Sequence, residues 1–210
     1  MFKLIISILI TKINYIILGV YMSYKLEDLH DLFLYLVKKL DLKIAIIGGV
    51  VISYFLGEKE FDEDLDLFIY EGSILDKENY LREYAHEKSW EVGSTEYGLP
   101  KISLRKNESE VEIEFYENIY DFYIPLEIIE RSRDIRIRDI DLKIIYPEHQ
   151  IVLKARAGGE QDIETLRLYS DLVKEGKLKI SVSRIRETIM FFPDEEKLIL
   201  SRLRSAGFNI

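Results

Sequence analysis

The sequence predicts an α+β fold in which a mixed sheet flanked by helices is followed by a C-terminal helical bundle. Three observations carry this expectation. Short β-branched runs alternate with helix-spaced segments as far as residue 146, and beyond Pro147 every periodic segment is helical. The chain has 210 residues, which fits one domain with a helical extension. It is 48% hydrophobic and 32% charged, too apolar for a disordered chain and too charged for a multi-span membrane protein.

Residues 1–21 stand apart, with Lys3 and Lys12 as their only charges, and have three readings. They approach the ~20 apolar residues of a spanning helix. Lys12 and Asn14 lie at the centre, however, where a lysine costs about 2.5–3.5 kcal/mol on insertion scales. A second reading is an ordered accessory segment. The third and favoured one sets the true start at Met22, just ahead of Ser23, a good helix N-cap. The expected organisation is therefore an apolar segment 1–21, an α/β core 22–146 and a helical region 147–210.

From Ser23 to Leu40 the leucines recur at helical spacing, predicting one amphipathic helix. Lys43 to Ile47 reads as a buried strand, ended by Gly48-Gly49. Val50 to Leu56 is apolar almost all round and predicts a short buried helix. An acidic loop, Glu58 to Glu63, leads to a strand from Asp64 to Tyr70, and residues 75–88 predict another helix. Residues 100–117 alternate like a hairpin about the turn Asn107-Glu108-Ser109. Further short strands are expected over 120–146, around Arg131, Arg133, Arg136 and Arg138. Pro147 opens a helix that Gly158-Gly159 breaks, and 160–175, 181–192 and 194–206 predict three more.

Composition narrows the chemistry. There is no cysteine, so disulfide scaffolds, thiolate metal sites and cysteine nucleophiles are excluded. Three scattered histidines argue against a histidine-rich metal site. Lys plus Arg number 29 and Asp plus Glu 38, a net charge of −9, which disfavours a general grip on nucleic acid. What remains is chemistry by carboxylates, hydroxyls and hard cations.

One stretch concentrates those groups. Asp64 and Asp66, two apart on a strand, point to one face, and their mutual repulsion calls for a cation between them. Magnesium accepts such oxygens together with substrate phosphates. Gly48-Gly49, between a strand and a helix, offers exposed N–H groups to an anion. A third carboxylate is expected from Glu112 or Glu114, both facing away from the apolar side of their strand, with Glu114 preferred because it sits nearer the strand's end. Taken singly, a Gly-Gly turn and an Asp-x-Asp pair are ordinary surface features. Their conjunction in this order carries the inference.

Gly48-Gly49, Asp64-x-Asp66 and the later strand carboxylate resemble the nucleotidyltransferase superfamily that includes DNA polymerase β, most of all the small minimal nucleotidyltransferases of prokaryotes. Pro147 to Ala157, followed by Asp162, looks like the helix these proteins place after the catalytic sheet. The resemblance covers roughly residues 24–175. It implies transfer of a nucleoside monophosphate from an NTP such as ATP to an acceptor hydroxyl or phosphate, helped by two Mg²⁺. By that resemblance Asp64, Asp66 and Glu114 are the metal ligands and catalytic carboxylates, Gly48 and Gly49 contact the triphosphate, and Lys154 supports the phosphates. The position before Asp64, often a small hydroxyl residue in the superfamily, is Glu63 here. A tRNA end, a protein side chain or a small molecule is the expected acceptor. The alternative is a catalytically silent binding or toxin–antitoxin module with a small helical partner protein. A cytoplasmic place is expected, without a membrane partner. The arginines at 131–138 are expected as a solvated strand face paired with Asp134, Asp139 and Asp141, and His149 as structural.

Overall fold

The computed structural model describes residues 23–106, 109–119 and 122–210. The apolar segment 1–21 and the turn at 107–108 lie outside the described residues. Strands form where the sequence alternates or runs β-branched: β1 (Lys43–Ile47), β2 (Leu65–Glu71), β3 (Glu91–Ser94), β4 (Pro100–Lys106), β5 (Ser109–Glu117), β6 (Arg133–Ile137) and β7 (Ile140–Ile144). They join one mixed sheet in the order β3-β4-β5-β2-β1-β7-β6. β2 lies between β1, to which it is antiparallel, and β5, to which it is parallel. β1 is buried after Lys43, as its apolar run predicts for a central strand.

The helices are α1 (His30–Leu34), α2 (Gly49–Leu56), α3 (Glu78–Glu87), α4 (Leu126–Glu130), α5 (Pro147–Ala157), α6 (Glu160–Lys174), α7 (Val182–Ile189) and α8 (Glu196–Ser205). α5 is the hub, packing against α2, α6, α7 and α8. Its first six residues are all buried, so it threads the junction of sheet and C-terminal helices. Pro147 at its first turn needs no N–H partner there, and Gly158 ends it in the left-handed region at φ +67°. The core runs through Phe33, Phe68, Phe115, Leu65, Leu67 and Ile46, all under 2% exposed. Each such side chain contributes about 1.5–3 kcal/mol on burial. Among the described residues, no helix is long and apolar enough to cross a membrane.

The structure departs from expectation in four places. The single helix over 23–40 is instead a 3-10 turn (Leu26–Leu29), α1 and a π-helical turn (Tyr35–Lys39). The Leu40 N–H reaches back five residues to the Tyr35 carbonyl at 3.0 Å, and the wider turn leaves Leu36 and Leu40 both buried. Residues 75–77 are not helical, because α3 begins only at Glu78. Within 120–146, Leu126–Glu130 forms α4 after Pro125 rather than a strand. Glu91–Ser94 forms the edge strand β3 through its pairing with β4, although its own sequence, with Gly93 inside, is a poor strand.

The arginine-rich segment is only partly paired as expected. Arg136 meets Asp141 at 3.8 Å, but Asp134 accepts from Lys143 at 2.9 Å and Asp139 pairs with His30 at 2.7 Å. Arg131 reaches Glu187, and Arg133 lies over the rings of Tyr54 and Phe55. His149 is buried. It is 1% exposed and packs edge-on to Tyr146.

Candidate active site

The site begins at the end of β1. Gly48 adopts φ +78° and ψ −158°, outside the reach of ordinary L-residues. A Cβ there would stand 1.9 Å from Asp66 Oδ2, so only glycine lets this turn lie against the carboxylate. The Gly48 N–H donates to Gln150 Oε1 at 2.9 Å, a buried bond linking sequence positions that lie far apart. Gly49 opens α2 with the Glu63 side chain beside it. Ser53 donates to Glu63 Oε1, while Tyr24 donates to the Glu63 carbonyl at 3.0 Å. Glu63 therefore fills the flank of α2, and its Oε2 is buried without a hydrogen-bond partner among the described residues.

The carboxylates follow from strand geometry. Asp66 on β2 is the register partner of Glu114 on β5, so the two stand side by side on the same sheet face. Burial alternates along β5, with Val111, Ile113 and Phe115 inside and Glu112, Glu114 and Tyr116 on the opposite, half-buried face. Glu112 is committed elsewhere: Lys101 Nζ donates to its two oxygens at 2.7 and 2.8 Å. Glu114 accepts from the hydroxyl of Tyr116. Asp64, just ahead of β2, accepts from the backbone N–H of Glu112 at 3.3 Å.

Electrostatics single out Asp66. Desolvation, then the neighbouring charges of Glu114 and Asp64, push its carboxyl up to about 7, with Lys154 pulling weakly the other way. Desolvation also raises Asp64, opposed by the Glu112 N–H. Burial raises the hydroxyls of Tyr24, Tyr116 and Tyr169; the next cause is Glu63 for Tyr24 and Tyr169 and Asp66 for Tyr116, so all three keep their protons. Like charges held this close in a desolvated place mark a functional-site candidate, and a bound cation would offset the repulsion.

A cleft of about 810 Å³ opens beside this face. Gly48, Asp66, Gln150, Tyr97, Tyr116 and Lys154 are among the residues that line it. Lys154 Nζ donates to Asp162 Oδ1 at 3.0 Å, and Asp162 Oδ2 accepts from the Gly159 N–H at the start of α6. Arg156 Nε donates to Glu195 at 2.8 Å.

The structure thus brings Gly48, Asp66 and Lys154 to one cleft, with Glu114 beside Asp66. Gly49 sits at the start of α2 and Asp64 two residues before Asp66. Among the described residues, no three carboxylate or histidine side chains already stand arranged to hold a metal ion. The donor set still fits a hard cation, because Asp66 and Glu114 are adjacent carboxylates that make no ion pair among the described residues. Gln150 and Tyr116 were missed. Tyr116 carried a readable signal, since it lies two residues beyond Glu114 on one strand. Gln150 carried none beyond lying four residues before Lys154.

No curated protein matches this chain. Several solved structures are similar to it. An antigenic nucleotidyltransferase-like protein from Paracoccidioides brasiliensis is 16% identical, with a TM-score of 0.46 over 87% of this chain and 95% of its own. The antibiotic-resistance factor ANT(2'')-Ia is 15% identical, with a TM-score of 0.41 over 85% of this chain and 91% of its own. A tRNA-processing enzyme is 17% identical, with a TM-score of 0.38 over 90% of this chain and 58% of its own. The profile of the family described as "Nucleotidyl transferase of unknown function (DUF2204)" matches residues 26–205. That span takes in every strand and helix from Leu26 to Ser205. The chain belongs to this nucleotidyl transferase family.

Proposed function

We propose that the protein moves a nucleoside monophosphate from an NTP to an acceptor hydroxyl or phosphate in a Mg²⁺-dependent reaction. The observation that carries this reading is the register pairing of Asp66 with Glu114 on one face beside Gly48. Asp64, Asp66 and Glu114 would hold the metal, which supplies charge neutralisation at the transferring phosphoryl group. In this reading Gly48 and Gly49 contact the triphosphate at the start of α2, where a helix N-terminus favours an anion. Lys154, released from Asp162, orients the phosphates. One carboxylate takes the acceptor's proton as the acceptor oxygen bonds to the α-phosphorus and pyrophosphate leaves.

The cleft's charge bears on the acceptor. Lys154 is paired with Asp162 and Arg156 with Glu195, while Glu96 and Glu160 also line the cleft. A polyanionic RNA needs spare cations along its path, so a tRNA end is the least favoured acceptor. A small molecule or a protein side chain suits the cleft better. The reading takes the protein to act in the cytoplasm, where NTPs are available.

The test is labelling with α-³²P NTPs, Mg²⁺ and a panel of acceptors. Asp64→Asn is expected to abolish transfer, and undiminished labelling would sink the mechanism. A silent binding module is the second reading, favoured by the bond that turns Asp64 toward the Glu112 N–H. Calorimetry separates the two readings: MgATP binding without labelling of any acceptor selects the silent module.

A further inference from the structure

Tyr116 touches the third carboxylate, and strand geometry explains why. Glu114 and Tyr116 are two residues apart on β5, so both project to the cleft side. The Tyr116 hydroxyl donates to Glu114 Oε2. Its ring is held in turn, stacked on Phe122 with centroids 4.8 Å apart and planes at 26°, and edge-on to Tyr97 at 6.3 Å. A ring clasped in this way aims its hydroxyl at one place.

Glu112 shows the contrast. It has the same strand spacing and the same face, but Lys101 binds it through both oxygens, and a carboxylate so neutralised has little left for a cation. Glu114 stands beside Asp66 in the sheet register, and its Oε1 makes no hydrogen bond among the described residues. A neutral donor such as tyrosine holds a carboxylate in place without cancelling its charge.

We infer that Tyr116 is a positioning residue, whose hydroxyl fixes the Glu114 side chain so that Oε1 is presented on the Asp66 side. The inference rests on the proposed metal-dependent function and assigns to this chain a support that the carboxylates alone do not supply. Tyr116 itself does no chemistry. It sets where the third carboxylate stands before metal and NTP arrive.

The experiment uses the full chain and Mn²⁺ as the probe, with free Mn²⁺ read by electron paramagnetic resonance, so no acceptor need be known. Tyr116→Phe keeps the ring stack and removes only the hydroxyl. It is expected to weaken Mn²⁺ binding about tenfold, the lower end of the loss usual for a supporting partner of a metal ligand, at unchanged Tm. In Glu114→Gln the same substitution is expected to add nothing further, because the anionic ligand that the hydroxyl positions is gone. Where transfer is measured, Tyr116→Phe is expected to lower kcat while the NTP KM stays within about threefold. Equal or tighter Mn²⁺ binding by Tyr116→Phe, or independent losses in the double variant, overturns the positioning role. In either case a loss of binding in Asp66→Asn leaves the metal reading standing. Wild-type protein that binds no Mn²⁺ overturns both.

Discussion

Glu148 and Asp66 are both acids withdrawn from water, and the molecule treats them in opposite ways. Glu148, on α5, is 2% exposed and fully compensated. The Ser181 N–H donates to it at 2.7 Å, and Arg184 Nη1 lies 3.2 Å from each of its oxygens. The guanidinium in turn sits over the Tyr146 ring at 4.0 Å. Asp66 makes no ion pair among the described residues, and the charges nearest it are the carboxylates of Glu114 and Asp64. A buried acid with its own cation ties elements together, here α5 to α7. A buried acid set against its own kind marks a functional-site candidate instead.

The largest effect should come from undoing the finished case. Arg184→Met strips Glu148 of its cation and leaves a charge inside the helical junction. Breaking a buried pair from one side costs about 3–5 kcal/mol, and the partial exposure of Arg184 (39%) brings the expectation to about 3 kcal/mol. Urea unfolding at pH 7 measures it. Adding Glu148→Gln to Arg184→Met should recover part of the loss. A single-variant cost under about 1 kcal/mol would mean that Glu148 is not held as a charge at all.

Asp66→Asn should act in the opposite direction. Burial, then the neighbouring charges of Glu114 and Asp64, push the folded-state carboxyl up to about 7 from the ordinary aspartate range, so the folded protein holds this proton more tightly than the unfolded chain does. That group's contribution to stability is complete below about pH 4 and is lost as pH rises through 7. A neutral asparagine escapes the loss. The variant should therefore be more stable than wild type at pH 8 and close to it near pH 4. Thermal unfolding at both pH values checks the sign. It should also lose nucleotidyl transfer, the usual exchange of function against stability at a strained site. A variant less stable than wild type at pH 8 would show that Asp66 is compensated after all, and the comparison with Glu148 would fail.

How much of this was legible depends on the range of the contacts. The period-two rule placed Glu114 on the face where it meets Asp66, because strand geometry is local. The β-branched run before Gly48-Gly49 likewise revealed the β1 turn. Gln150 was invisible, since its value lies in one bond to Gly48 across the fold. β3 was missed because its pairing with β4, rather than its own residues, makes it a strand. α4 has five residues, too few for a helical period to show. Lys154 and Asp162 were both expected near the cleft, but their mutual ion pair emerges only when α5 and α6 meet.

The smallest effect tests the contrast where it is sharpest, on β5 itself. Glu112 and Glu114 share a strand, a face and a residue type, and differ in what holds them. Lys101 neutralises Glu112 as Arg184 neutralises Glu148, whereas Glu114 meets a neutral hydroxyl and an acid neighbour. The Lys101–Glu112 pair is partly open to solvent, with side chains 25% and 31% exposed, so it is worth at most about 1 kcal/mol. Glu112→Gln should therefore shift unfolding by less than that and leave NTP-dependent labelling within about threefold of wild type, in the range of a contact peripheral to the chemistry. Glu114→Gln should abolish labelling with an equally small change in stability. If Glu112→Gln is the variant that silences the protein, pairing with a cation does not retire a carboxylate from the site. The third ligand would then sit two residues earlier than the Asp66 register implies.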